Sequence, residues 1–204
     1  MEYYHDLITQ ESWKELQSLK KTLDFVLIGG WATFLYTGTL KSKDIDIIID
    51  FDKLPLLEKH YQLIKNDRLS KYEAVKETIQ IDIYLPHYSK LGIPVEDLMQ
   101  NTEHLEGFTV LGSSHLIALK LFTLQQRGRS AKGRKDFIDI IALINSNVVD
   151  WNKVQKIIEM YGLQNSAKNF VKFLNENYEV PELNLNKHLF SKIKKETIEI
   201  ISKN

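Results

Sequence analysis

Three carboxylates in this sequence lie in stretches patterned as β-strands: Asp44 and Asp46 within KDIDIIID, and Asp82 within IQIDIYL. In the first, Ile45, Ile47 and Ile49 take one face and Asp44, Asp46 and Asp50 the other. In the second, Ile79, Ile81, Ile83 and Leu85 alternate with Gln80, Asp82 and Tyr84. A strand rises about 3.3 Å per residue, so Asp44 and Asp46 stand roughly 7 Å apart with parallel side chains, able to converge on one or two cations. Gathered carboxylates repel one another unless a cation neutralises them, and oxygen ligands of this kind suit magnesium or manganese together with water and phosphate oxygens. Acidic residues on the solvent face of an amphipathic strand explain an Asp-x-Asp by itself equally well. They explain three strand-borne Asp less well, because Asp is a poor strand former. Asp50 shares the phase but falls at the strand end, where a turn role is expected.

Ahead of this pair, the apolar run Phe25 to Ile28 ends in Gly29 and Gly30, and Trp31 to Tyr36 opens a helix directly behind them. Glycines between strand and helix let the backbone approach a ligand closely, and the helix N-terminus favours an anion such as phosphate. The plainer alternative is a tight turn with no ligand. Lys41 and Lys43 flank the carboxylates, either as phosphate contacts or as balancing charge. Farther along, Lys120 has the apolar helical neighbours Leu116, Ile117 and Leu124. An ammonium on such a side needs a phosphate or a carboxylate beside it, unless its stem snorkels to solvent. Arg127, Arg129, Lys132, Arg134 and Lys135 form a basic, Gly-containing loop suited to phosphate or an RNA backbone, although solvated loops are often basic without any partner. The histidines show no ligand spacing, so zinc is not expected. With no cysteine in the chain, disulfides, thiolate ligands and a thiol nucleophile are removed.

The elements that must position these groups follow from periodicity. Helical spacing over residues 3–22 leads into the buried strand at Phe25 to Ile28, and Gly38 is a stop for the helix behind the glycines. Leu54 to Ile64 reads as a crossover helix with Pro55 in its first turn. Tyr72 to Lys76 and Ile79 to Leu85 read as paired strands, Pro94 to Gln100 as a short helix, and Phe108 to Leu111 as a strand. Ser113 or Ser114 can cap the helix His115 to Gln126. Strand signals then stop, and Asp136 to Ile144, Trp151 to Met160, Ala167 to Asn177 and Lys187 to Ile201 carry helical spacing. The expected fold is α+β, with a small mixed sheet and flanking helices over residues 1–112 and a helical domain over residues 113–204. The chain of 204 residues, 43% hydrophobic, suffices for a sizeable core. Its 27 basic and 27 acidic residues set up no global field toward nucleic acid or membrane. The charged start MEYYHDLITQESWKEL lacks the apolar run of a signal peptide, and no segment approaches the roughly 20 apolar residues that span a bilayer, so a cytoplasmic protein is expected.

Gly29-Gly30-Trp31-Ala32, then Lys43-Asp44-Ile45-Asp46-Ile47, then Asp82 in an apolar strand together resemble the polymerase-beta-type nucleotidyltransferase superfamily. GGWA followed by KDIDI is similar to the small lincosamide and aminoglycoside nucleotidyltransferases. SSHLIALKLFTLQQRGRSAKGRKDFIDIIALI resembles the helical half of AbiEii-like toxin nucleotidyltransferases. The resemblance implies that Gly29 and Gly30 cradle a triphosphate, that Asp44 and Asp46 bind both metals, and that Asp82 binds the catalytic metal and accepts the proton of the incoming hydroxyl. It implies that Asp136 and Asp139 orient Lys120 or a substrate hydroxyl, although Asp136 reads equally well as a favourable charge in a first helical turn, and that the helical half completes the nucleotide cleft. Gly30 departs from the many members that carry Ser there, which removes a hydroxyl contact to phosphate. The implied reaction moves an NMP from an NTP to an acceptor hydroxyl. The acceptor is RNA or protein in a toxin-like enzyme, with an antitoxin as partner, or a small molecule in an antibiotic-type one. A module that binds nucleotide without turnover is the third reading.

Overall fold

The computed structural model describes residues 2–202, and the chain divides into two compact units, Met1–Gly112 and Ser113–Asn204. In the first unit, α1 (Glu2–Leu19) precedes β1 (Val26–Ile28), α2 (Gly29–Thr37) and β2 (Ile45–Ile48). A 3-10 turn and the short α3 (Leu54–Glu58) then lead to β3 (Gln62–Asn66), β4 (Lys71–Lys76) and β5 (Ile79–Tyr84). The unit closes with α4 (Val95–Gln100), β6 (Thr102–Leu105) and β7 (Phe108–Leu111). The strands form one mixed sheet in the order β3-β4-β5-β2-β1-β7-β6. The β2–β5 and β1–β7 pairs are parallel, and the remaining neighbours are antiparallel. One face is wholly apolar at its centre: Leu27, Ile45, Ile47, Ala74, Ile81, Ile83 and Val110 are fully buried. Each large aliphatic among them contributes on the order of 1.5–3 kcal/mol. Because side chains alternate along a strand, burying the isoleucines fixes the opposite face for Asp46 and Asp82.

Trp31 holds α2 in place. Its indole Nε1 donates to Ser12 Oγ on α1 at 2.9 Å, and its ring lies 4.9 Å from Trp13 and 5.4 Å from Phe34. These aromatics are packing residues. Gly38 ends α2 in the left-handed region (φ +65°), its N–H donating to the Phe34 carbonyl at 2.7 Å.

Here the structure corrects one sequence expectation and adds one strand. The crossover helix expected over Leu54 to Ile64 stops at Glu58, and Ile64 sits instead on the edge strand β3, paired with Glu73 of β4. Ile64 is exposed there, so its apolar side chain imitated a helical phase without any core to fill. Strand β6, with the sequence TEHL, was not anticipated: it is short and largely polar, and half-exposed strands give little periodic signal.

The second unit is helical among its described residues: α5 (Ser113–Arg127), α6 (Ala131–Asn145), α7 (Trp151–Met160), α8 (Gln164–Glu176) and α9 (Lys187–Ser202). Phe137 of α6 packs between Phe170 and Phe173 of α8, with ring centroids 5.9 and 6.0 Å away. Ser113 lies inside α5 and donates its hydroxyl to the Val148 carbonyl at 2.7 Å, tying the helix start to the turn before α7. Among the described residues no helix is long and apolar enough to cross a membrane.

Candidate active site

The end of β1, the start of α2 and the neighbouring strands β2 and β5 place Gly29, Asp46 and Asp82 together. Ile28 is the Cα partner of Asp46 across β1–β2, and Asp46 is the Cα partner of Asp82 across β2–β5. Both carboxylates therefore leave one face of the sheet from adjacent strands. Gly29 has φ +69°, and a Cβ added there would stand 2.1 Å from Asp46 Oδ2. The missing side chain is thus the room that the Asp46 carboxylate uses. Gly30 is buried in the first turn of α2, whose N-terminus no side chain caps. Asp44 lies immediately before β2 and is half-buried, while Lys43 beside it is exposed.

The β3–β4 hairpin adds two residues that sequence reasoning missed. Glu73 is the Cα partner of Asp82, so Asp46, Asp82 and Glu73 form one row across three adjacent strands. Lys71, next but one along β4, is on the same face and only 6% exposed. Its Nζ lies 2.5 Å from Asp82 Oδ2 and 3.1 Å from Glu73 Oε1. Gln80 Nε2 donates to Asp82 Oδ1 at 2.9 Å, and Asn66 Nδ2 to Glu73 Oε1 at 2.9 Å. Burial alone would lower the Lys71 pKa, but the hydrogen bonds and charges of Asp82 and Glu73 outweigh it and hold the ammonium above its ordinary value. The alternation Lys71, Glu73, Val75 was visible in the sequence, yet a strand begun at Tyr72 leaves Lys71 outside it.

Among the described residues no group of three or more His, Cys, Asp or Glu side chains is gathered so that it could hold a metal ion as it stands. Both Asp82 oxygens are engaged, by Lys71 and Gln80. The donor chemistry of the row is nonetheless that of a hard divalent cation: carboxylate oxygens on neighbouring strands, beside a glycine whose missing side chain makes room for one of them.

The second unit holds its own charged constellation. Lys120 on α5 is buried with its Nζ 2.5 Å from Asp139 Oδ2 and 3.4 Å from Asp136 Oδ1, both on α6. Arg127 Nη1 reaches Asp136 Oδ2 at 2.8 Å. Burial pushes the Asp139 carboxyl up from its ordinary value, against the opposing pull of Lys120. The partner that an apolar-side lysine requires is here a pair of aspartates. The expected basic loop is shorter than its sequence suggests. Ser130 caps α6, accepting from the Gly133 N–H at 3.1 Å, so Lys132, Arg134 and Lys135 lie in helix. Gly133 lets α6 start against Gly128, whose carbonyl oxygen would be 1.9 Å from an added Cβ. Arg129 pairs with Glu176, and Arg134 forks onto Glu182.

Residues 7–182 match the family model DUF6036, described as a nucleotidyltransferase of unknown function. No curated protein matches the chain. Among solved structures, the fold is similar to that of a Helicobacter pylori protein described as a nucleotidyltransferase, with a TM-score of 0.54, 17% identity, and coverage of 97% of this chain and 94% of that one. It is also similar to JHP933 of Helicobacter pylori, with a TM-score of 0.51, 15% identity, and coverage of 96% and 92%. At these identities the likeness is one of fold.

Proposed function

Because the chain belongs to the DUF6036 family of nucleotidyltransferases, we propose that it moves a nucleoside monophosphate from an NTP to an acceptor hydroxyl at the Gly29, Asp46 and Asp82 face of the sheet. The observation that carries this is the register pairing of Asp46 with Asp82, next to a glycine whose missing Cβ leaves room for the Asp46 carboxylate. Asp44, Asp46 and Asp82 would hold magnesium or manganese. The ion would supply charge neutralisation at the triphosphate and a lowered pKa for the attacking hydroxyl. Backbone N–H groups at Gly29 and Gly30, at the uncapped start of α2, would receive phosphate oxygens, with Lys43 as an exposed additional contact. The acceptor oxygen attacks the α-phosphorus, the bond to the β-phosphate oxygen breaks, pyrophosphate leaves, and the hydroxyl proton passes to the Asp82 carboxylate. Catalysis on this scheme is positioning and charge compensation. Lys120 and Asp136 are proposed as further contributors, Asp136 and Asp139 holding the Lys120 ammonium in one orientation.

The acceptor we propose is a hydroxyl of RNA or protein, in a toxin-like enzyme of the cytoplasm with an antitoxin partner. The support is the likeness of the helical half to such toxins and a cysteine-free chain suited to a reducing compartment. A second reading, a small hydroxylated acceptor, is favoured by one observation. Arg127, Arg129 and Arg134 are each paired with a carboxylate of this chain, Asp136, Glu176 and Glu182, which removes much of the charge that an RNA backbone would use. Incubation with each α-labelled NTP, magnesium or manganese, total RNA and cell extract separates these readings. Label on RNA or a protein band supports the first and label on a small product the second. Nucleotide binding with no transfer under any condition would leave a binding module.

A further inference from the structure

Lys71 has no place in the chemistry just described, yet it is the most deeply committed cation in the first unit. Ordering a lysine side chain and removing its ammonium from water are both costly, so a lysine that is 6% exposed is held by its partners. Those partners are Asp82 at 2.5 Å and Glu73 at 3.1 Å, and each is fixed in turn by an amide, Gln80 and Asn66. The row Asp46, Asp82 and Glu73 carries three negative charges when ionised, and Lys71 returns one of them. A lysine in contact with a carboxylate repels a metal approaching that same carboxylate and competes for its oxygens.

We propose that Lys71 is a positioning residue, a built-in counter-cation that holds Asp82 in place and opposes divalent cation binding at the strand carboxylates. The inference rests on the reading of Asp46 and Asp82 as metal ligands. On this view the protein alone binds divalent cation weakly, and tight loading requires the extra negative charge of a bound triphosphate. Glu73, anchored by Asn66, is the residue to which the ammonium remains attached while a cation occupies Asp82.

The test is a manganese titration of the full chain, followed by the electron paramagnetic resonance of free Mn2+ and by thermal shift, on the wild type, Lys71→Met, Lys71→Arg and Asp46→Asn. We expect Lys71→Met to bind Mn2+ on the order of tenfold or more tightly than wild type, with a correspondingly larger Mn2+-dependent rise in melting temperature. Lys71→Arg, which keeps the charge, should match the wild type. A lysine that merely supports the fold predicts lower stability in Lys71→Met with unchanged Mn2+ affinity. That result, with binding still lost in Asp46→Asn, overturns the inference and leaves the metal reading intact. Absence of any Asp46-dependent Mn2+ binding in both wild type and Lys71→Met overturns the two together. Should Lys71→Met not fold, the side-chain Nζ resonance of Lys71 in the wild type, identified by its loss in Lys71→Arg, is followed on adding Mg2+. A shift supports the inference, and an unmoved signal under Asp46-dependent binding overturns it.

Discussion

Gly29 and Asp46 share one small volume: with φ +69° at Gly29, a side chain there would meet the Asp46 carboxylate at 2.1 Å. Gly38, at the other end of α2, has a similar φ of +65° and open space around the position of a Cβ. The two glycines therefore separate backbone strain from steric displacement. Gly38→Ala should cost about 1–2 kcal/mol, the penalty of a left-handed residue with a Cβ, and leave nucleotide transfer near wild type. Gly29→Ala should cost more and lower transfer at least about tenfold, because Asp46 must move and a misplaced catalytic group is costly. Denaturant midpoints and labelled-NTP assays on both variants check this.

Asp46→Asn and Asp82→Asn should each reduce transfer by at least about a hundredfold, since loss of a direct ligand should exceed the 10–100-fold effect typical of groups behind it. Their stabilities should differ. Asp82→Asn withdraws a charged partner from buried Lys71 and should cost about 1–3 kcal/mol, more than Asp46→Asn. Circular dichroism melts alongside the transfer assay distinguish loss of chemistry from loss of fold, and undiminished transfer in both variants would remove the carboxylates from the mechanism.

The central strands were legible because isoleucines flank each aspartate: with Ile45, Ile47, Ile81 and Ile83 all fully buried, Asp46 and Asp82 take the opposite face, even though Ile48 at the end of β2 is buried too. The glycine pair was legible as a strand-to-helix junction, although the helix begins at Gly29 itself. Partnership across strands was not legible. Which carboxylate faces Lys71 depends on the register of β4 against β5, and that is set by the hairpin around residues 77 and 78 and not by either strand's own pattern. The basic segment after α5 misled for a related reason. Its neutralising residues, Glu176 and Glu182, lie about fifty positions away, beyond the reach of local charge counting.

One of those pairs gives a pH dependence. Arg134 meets Glu182 in a fork, Nε to Oε1 at 2.9 Å and Nη2 to Oε2 at 2.8 Å, and this hydrogen bonding holds the Glu182 carboxyl below its usual 4.5. Between the folded and unfolded values the unfolded chain binds more protons, so stability rises with pH across that window. The contribution is full above about pH 4.5 and disappears as pH falls through the lower folded value. Glu182→Gln should lack this part of the acid limb in melting temperatures recorded from pH 3 to 7, while a limb identical to wild type would show that the fork contributes nothing.

The Lys120 and Asp139 pair can be taken apart to ask whether it serves the fold or the reaction. Asp139 is 1% exposed, and its carboxyl, raised by burial, depends on the ammonium 2.5 Å away. Lys120→Met leaves buried acid without that partner and should cost about 3–5 kcal/mol. Asp139→Asn keeps Lys120 beside Asp136 and should cost less, about 1–3 kcal/mol. Replacing both at once, Lys120→Met with Asp139→Leu, exchanges a buried ion pair for apolar contact and should recover stability toward wild type, with Asp136 still held by Arg127. A double variant that is folded but at least about tenfold slower in transfer would give Lys120 a role in the chemistry. Transfer at the wild-type rate in that same folded protein would make the pair a packing device of the helical unit and withdraw Lys120 and Asp136 from the mechanism.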